Sequence, residues 1–399
     1  MWPHFFYFAH IQLNPDKVIR IISCFIFCFI INSCAQTPSG KNAAMPGEST
    51  VRDLFYNPIP QAQVKKYQQA IENYYDTNLR NTGFNGAILV AKNGQVLFED
   101  YNGMYNFATG EPINEHSPFH LASISKTFTA MTVLRLWEEG RISLDDSLQK
   151  FFPKMPYHGV TVKMMLNHRS GLPNYLYFMD SIWNKKQKAT NWDVVNFMLA
   201  HKPAAEALPN RSYHYSNTNY MLLALIVEIV TNKPFPQYMK DSVFTPLGLP
   251  DTYVFSIADT VNYIPTYSVT KPFPMDHLDC TYGDKNIYST VRDLFQWDNV
   301  LTQNTFLKKS TADMAFMPYS NERKSMHNYG FGWHLFFNNG DSIIYHNGKW
   351  HGSNTAFTRL VQDTATIIVL GNKLNSNIYG SKQMSAIFSG REDKNKLEE

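Results

Sequence analysis

A serine hydroxyl and a lysine amine stand three residues apart at Ser123/Lys126, Ser147/Lys150 and Ser268/Lys271. On a helix that spacing puts both groups on one face, where an uncharged amine can take the hydroxyl proton and leave an oxygen able to attack acyl carbon. Context separates the three pairs. Ser268 runs into Pro272, whose ring disfavours helix at Lys271. Ser147 lies in the polar stretch Leu144–Lys150 ahead of Pro153 and reads as a solvated surface turn. Ser123 opens a helix predicted to run to Glu139 and stop at Gly140, with Phe128, Met131, Leu134 and Leu136 to bury it. There the free N–H groups and positive end of a helix favour developing negative charge, and burial of Lys126 depresses its pKa.

Further motifs follow in chain order. Met165-Leu166-Asn167-His168-Arg169-Ser170-Gly171-Leu172-Pro173 is long enough to be specific, and we read it as structural. Tyr215-Ser216-Asn217 stands directly before an apolar run, and the same three letters recur at Tyr319-Ser320-Asn321. His346-Asn347-Gly348 closes a predicted strand. Together, S-x-x-K, Y-x-N, H-x-G and L-x-H-x-S-G-L-P resemble the serine β-lactamase-related and penicillin-binding-protein-like family, which includes class C β-lactamases, DD-peptidases and esterases. The resemblance spans residues 61 to 375.

It implies that Ser123 is the acylated nucleophile and that Lys126 and Tyr215 exchange its proton, neither being the sole base on sequence grounds. Tyr215 is preferred over Tyr319 because it falls after the nucleophile and before the last strands, as in the family. Asn217 would orient substrate and Lys126. The backbone N–H groups of Ser123 and of Lys349, which follows Gly348, would form the oxyanion hole. His346 would line the opposite wall and set substrate preference, with Trp350 and His351 beside it facing solvent. A histidine here departs from the K-T-G of β-lactamases. Lysine is a permanent cation suited to an anionic substrate group, whereas histidine titrates near neutrality, which argues against efficient β-lactam hydrolysis. The implied function is a serine hydrolase acting on ester, D-amino-acid peptide or β-lactam amide bonds. No Glu is assignable as a water-activating base, so the competing reading is a non-turnover, lipid-anchored protein that binds penicillin or cell-wall fragments by acylation at the same serine.

The elements that must position these groups are legible in part. Val64, Tyr67, Ile71 and Tyr74 space an amphipathic helix over Gln61–Asn78. Ala87–Lys92 and Gln95–Tyr101 flank Asn93-Gly94, a dipeptide that supplies the two positive φ angles of a tight hairpin. Near the other end, 333–338 and 342–346 flank Asn339-Gly340, and Thr355–Val361 and Thr366–Leu370 follow. Between them lies a mostly helical middle with the nearly all-apolar Tyr220–Val230. The fold class is therefore α/β (α+β): one antiparallel sheet built from both chain ends, flanked by helices, with an inserted helical lobe. The expected bounds are a lipoprotein-type signal at 1–33, a tether at 34–60, the hydrolase domain at 61–390 and a charged tail at 391–399. Within the domain, 61–122 and 285–390 form the α/β lobe and 123–284 the helical one.

With 399 residues, 44% hydrophobic, 15% aromatic and 17% charged, the chain is neither disordered nor a small disulfide scaffold. Lys plus Arg 36 against Asp plus Glu 33 gives +3 with no clustered basic run, which excludes a nucleic-acid footprint. Lys17 and Arg20 precede the apolar run Ile21–Ile31, too short to span a bilayer but long enough for a signal peptide, with translation expected to start nearer Val18. Ile31-Asn32-Ser33-Cys34 resembles the lipobox of bacterial lipoproteins, implying lipid on Cys34, an exported protein and a place at the cell envelope. Cys280 then has no partner. No metal motif and no cofactor signature occur, G-x-S-x-G is absent, and no facing carboxylate pair marks a glycosidase. The expected partners are a small-molecule or peptide substrate, peptidoglycan fragments and a membrane reached through the anchor.

Overall fold

The computed structural model describes residues 57–338 and 341–389. The signal segment, Cys34, all but the end of the tether, the Asn339-Gly340 turn and the 391–399 tail lie outside the described residues. Asn93 at φ 50° and Gly94 at φ 71° close the first hairpin, which joins β1 (Gly86–Lys92) to β2 (Gln95–Asn102). The other strands of this sheet come from the far end of the chain: β3 (His327–Tyr329), β4 (His334–Asn338), β5 (Asp341–Trp350), β6 (Ser353–Leu360) and β7 (Ala365–Gly371). Their spatial order is β2-β1-β7-β6-β5-β4-β3, antiparallel throughout. β1 pairs with β7 from Gly86↔Gly371 to Lys92↔Ala365, so the two chain ends meet mid-sheet.

β1, β6 and β7 are buried on both faces; β1 and β7 accordingly read as near-continuous apolar runs, whereas β6 buries Ser353, Asn354, Thr355, Thr358 and Arg359 as well. The period of two sorts their side chains. Ile88, Val90, Ile367 and Val369 face α1 (Gln61–Asn78), where Val64, Ile71 and Tyr75 meet them. Tyr67 and Tyr74, expected in that apolar stripe, pack against the same cluster, and the Tyr74 hydroxyl donates to the Gly380 carbonyl at 2.7 Å. Ala87, Leu89, Ile368 and Leu370 face the larger core on the other side. That core is filled by α2 (Ser125–Glu138), α3 (Asn217–Thr231) and α4 (Val291–Thr302), with Phe128 stacked on Trp297 at 4.6 Å.

Three local expectations change. The helix foreseen from Ser123 begins at Ser125; Ala122–Ile124 form a 3₁₀ turn entered through Ala122 at φ 49°, a left-handed conformation unusual for alanine. His346-Asn347-Gly348 lies inside β5, which continues to Trp350 because β6 pairs with it all the way to Trp350↔Ser353. Trp350 and His351 do not face solvent freely: the Trp350 indole donates to the buried Asp279 at 2.6 Å and His351 lies 2.9 Å from the same carboxylate.

Candidate active site

Ser123 sits on the strained turn between the short strand Phe119–His120 and α2, half-buried and presented from the end of the helix. Lys126, one turn on, is fully buried, and its amine lies 3.0 Å from Ser123 Oγ, 2.8 Å from Asn217 Oδ1 and 2.8 Å from the main-chain carbonyl of Asp284. The Tyr215 hydroxyl donates to Ser123 Oγ at 3.0 Å, and its ring lies under the Lys126 amine at 5.0 Å. Ser123, Lys126, Tyr215 and Asn217 thus meet, although 91 residues separate Lys126 from Asn217. Ser147 and Lys150 are exposed, with Lys150 held by Asp146, and Ser268 and Lys271 are exposed as well. Tyr319 spends its hydroxyl on Met314.

Burial pushes the Lys126 amine down to about 7; the nearby Asp284 carboxylate opposes that shift and Lys285 reinforces it. Burial holds the Tyr215 phenol above its ordinary range, so it is a proton donor at neutral pH. A neutral Lys126 amine has two N–H groups and one lone pair. Asn217 Oδ1 and the Asp284 carbonyl take the two protons, leaving the lone pair for the Ser123 hydroxyl.

The opposite wall is β5. Its pairing with β4 ends at Tyr345↔His334, and beyond that point Gly348 lies against Leu121 and Ala122 at the turn that carries Ser123. A Cβ on Gly348 would stand 2.3 Å from the Leu121 carbonyl oxygen and 2.3 Å from Thr355 Oγ1, so only glycine allows that approach. Lys349 follows with its side chain exposed. His346 is buried, Nδ1 beside the Asn347 carbonyl at 2.7 Å and Nε2 3.3 Å from the Tyr329 hydroxyl. Burial, helped by His334 and Lys126, holds its imidazole well below the ordinary range, so His346 is uncharged at neutral pH.

Sequence reasoning missed His334, whose ring stacks on Tyr215 at 6.3 Å, lies 4.8 Å from His346 and is pushed by burial down to about 4. It also missed Gly283-Asp284-Lys285-Asn286. Thr129 donates to the Gly283 carbonyl at 2.7 Å, Lys126 to that of Asp284, and the Ile287 N–H to Ser125 Oγ at 3.0 Å, so this segment clamps the start of α2. Its one sequence signal is a polar run between apolar neighbours. His168 of the nine-residue motif lies beneath Tyr215, ring centroids 4.3 Å apart. Its Nδ1 accepts the Ser216 N–H at 3.2 Å and lies 3.0 Å from Asn219 Nδ2, tying Tyr215 and the start of α3 to the motif.

A sequence profile described as Beta-lactamase matches residues 69–385. The chain belongs to the β-lactamase family. Among its relatives, "Penicillin-binding protein 4*" of Bacillus subtilis is 31% identical over 328 residues, covering 77% of this chain and 72% of that one. "Protein flp" of Staphylococcus aureus is 27% identical over 353 residues, covering 81% and 68%. The fold is also that of a penicillin-binding protein from Bacillus halodurans, with TM-score 0.71 and 21% identity over 79% of this chain and 99% of that one. It is shared with EstCE1, a hydrolase with promiscuous acyltransferase activity, at TM-score 0.66 and 19% identity, covering 82% and 99%. Membership in the β-lactamase family supports serine hydrolase chemistry in general. Among the described residues no group of side chains could hold a metal ion, Cys280 is a free buried thiol, and no helix is long and apolar enough to cross a membrane.

Proposed function

We propose that this protein is a serine hydrolase that forms an acyl-enzyme at Ser123 and acts on ester, D-amino-acid peptide or β-lactam amide bonds. One observation carries the reading: Ser123 Oγ is bonded at once to a buried amine and to a buried phenol. The neutral Lys126 amine takes the hydroxyl proton as Oγ attacks the acyl carbon. The N–H groups of Ser123 and Lys349 receive the oxyanion, each such donor being worth roughly 10² to 10³ in rate. As the tetrahedral intermediate collapses, the departing oxygen or nitrogen takes a proton from the Tyr215 phenol, and the proton that Lys126 took from Ser123 makes good that loss, returning amine and phenol to their starting states. Asn217 aims the amine and contacts the acyl side of the substrate.

The uncharged His346, standing where K-T-G enzymes carry a lysine, argues against efficient β-lactam hydrolysis and leaves esters and D-amino-acid peptides as the better-suited bonds. The names of its relatives and structural neighbours, a penicillin-binding protein and a hydrolase with promiscuous acyltransferase activity, support acyl transfer as the common step. A cavity of about 700 Å³ edged by Tyr213, Tyr329, His334 and Tyr345 adjoins Tyr215 and gives an aromatic-lined place for the distal part of a substrate. We place the protein at the cell envelope, exported by the apolar segment 21–31 and anchored by lipid on Cys34. Peptide mass mapping of a fluorophosphonate label tests the site: it should fall on Ser123 and vanish in Ser123→Ala. Steady turnover of a chromogenic ester is expected; stoichiometric labelling without turnover would replace the hydrolase with a binding protein. Mass spectrometry of the mature N-terminus checks the anchor, and an unlipidated Cys34 would remove it.

A further inference from the structure

Behind Lys126, out of reach of substrate, lies a buried polar cluster that the reaction as described does not use. Asp284 faces two ways: its main-chain carbonyl holds the Lys126 amine at 2.8 Å, and its carboxylate points into the cluster. There Oδ2 accepts from the Tyr175 hydroxyl at 2.9 Å, while Oδ1 has no hydrogen-bond partner among the described residues. The Lys285 amine lies 3.8 Å from Oδ2. Lys285 donates to the Tyr175 oxygen at 2.5 Å and to Thr281, and Thr281 passes its own proton to the Leu278 carbonyl at 2.9 Å. The Lys285 ammonium also lies over the Trp350 ring at 4.8 Å. Two hydroxyl acceptors, one aromatic face and a carboxylate form a cage that suits a cation.

The other titratable groups around Lys126 carry no charge at neutral pH. Tyr215 and Tyr220, from the loop before α3 and from α3, are phenols held above their ordinary range. His168 from the nine-residue motif, His334 from β4 and His346 from β5 are imidazoles held below theirs. Asp284 and Lys285 are thus the charges that bear on the amine. Burial holds Lys285 below its ordinary value, and Asp284, with Asp279 and Asp276 of the preceding loop at longer range, opposes that shift; Cys280 nearby is an uncharged thiol at neutral pH.

We propose that Asp284 and Lys285 are a positioning pair that sets both the aim and the charge of Lys126: the Asp284 carbonyl fixes the amine towards Ser123, and the caged Lys285 cation disfavours a second positive charge beside it. Removing the Lys285 charge leaves the Asp284 carboxylate to attract a proton onto Lys126. Removing the Asp284 charge leaves Lys285 to repel it. The two variants therefore move the Lys126 titration in opposite directions, whereas a cluster that only supports the fold moves neither. The inference rests on Ser123 acylation assisted by a neutral Lys126.

The test is the rate of fluorophosphonate labelling of the full chain as a function of pH, which reports acylation alone. Wild type should lose rate as pH falls through about 7. Lys285→Met should move that acidic limb upward by roughly one pH unit and Asp284→Asn should move it downward by a similar amount. Lys285→Arg should restore the wild-type position. Should Lys285→Met fail to fold with its carboxylate unpaired, the double variant Asp284→Asn/Lys285→Met leaves no unpaired charge, and its limb should lie above that of Asp284→Asn alone. Limbs that stay in place while rates fall uniformly, or that move in the same direction, overturn the pairing. Labelling that persists in Ser123→Ala overturns instead the reading on which it rests.

Discussion

At the scale of single residues, the proposed reaction turns on withholding water from an amine. Desolvation is the largest influence on Lys126, and it would make available near neutrality a base that in water is protonated until pH 10.5. The kcat/KM of ester hydrolysis should therefore rise with pH through about 7, following the neutral fraction of Lys126. A profile flat from pH 6 to 9 would assign the proton to another group. Tyr215→Phe removes the donor 3.0 Å from Ser123 Oγ while keeping the ring against Lys126 and His168. It should lower kcat by roughly 10² to 10⁴ with little change in folding, since the proton relay to the leaving group is lost and the packing is kept. Circular dichroism and ester kinetics on one preparation separate the two effects.

At the scale of elements, the proposed acyl transfer depends on how closely β5 approaches the Ala122–Ile124 turn. Thr355 of β6 donates to the Leu121 carbonyl at 2.9 Å, and Tyr379 donates to that of Gly348 at 3.1 Å, so strand and turn are held by side chains from two further elements. A methyl group at Gly348 would meet main-chain oxygen, which no rotamer can relieve. Gly348→Ala should cost about 1–3 kcal/mol in stability and widen the gap in which an oxyanion would be received. Thermal melts and the labelling rate of Ser123 check this; an unchanged rate would detach the strand from the chemistry. Asn354 supports the same corner, donating to the Tyr379 hydroxyl at 2.5 Å.

At the scale of the whole molecule, the sheet and the helices behind it are joined by buried charge as well as apolar surface. Arg359 of β6 is buried and pairs with Asp298 of α4, which also accepts from Thr366 of β7, while Arg359 reaches Thr302 at 3.0 Å. Asp298→Ala strands a buried guanidinium and should cost about 3–5 kcal/mol, measured by denaturant unfolding, even though no atom of the pair touches Ser123. Four histidines, three of them buried and His334 partly so, give stability a pH dependence of definite sign. His120, His168, His334 and His346 are all held below the ordinary imidazole value by burial, His120 and His334 to about 4. Between about 6.5 and 4 the unfolded chain binds protons that the folded chain refuses, so stability is full above the first value and declines as pH falls towards the second. Unfolding midpoints at pH 8, 6 and 4.5 should descend in that order.

Ser123-x-x-Lys126, Tyr215-Ser216-Asn217 and His346-Asn347-Gly348 were legible in the chain because each is a short run whose spacing is set by one helix, one cap or one strand. The same locality made α1, the Asn93-Gly94 hairpin and the buried α3 readable, since helix and strand periods and positive-φ turns are written within a few residues. His334, the Asp284–Lys285 pair and the Asp279 anchor of Trp350 and His351 were not legible. Each acquires its meaning from a partner brought near by the pairing of distant strands or by the return of the chain beneath α2, which no local pattern encodes. The choice among three Ser/Lys pairs had a similar division. The chain could name Ser123 by its apolar neighbours, but only the packing of α2 against α3 and the 283–287 segment removed water from Lys126, and burial is the physical cause that turns an ordinary lysine into a base.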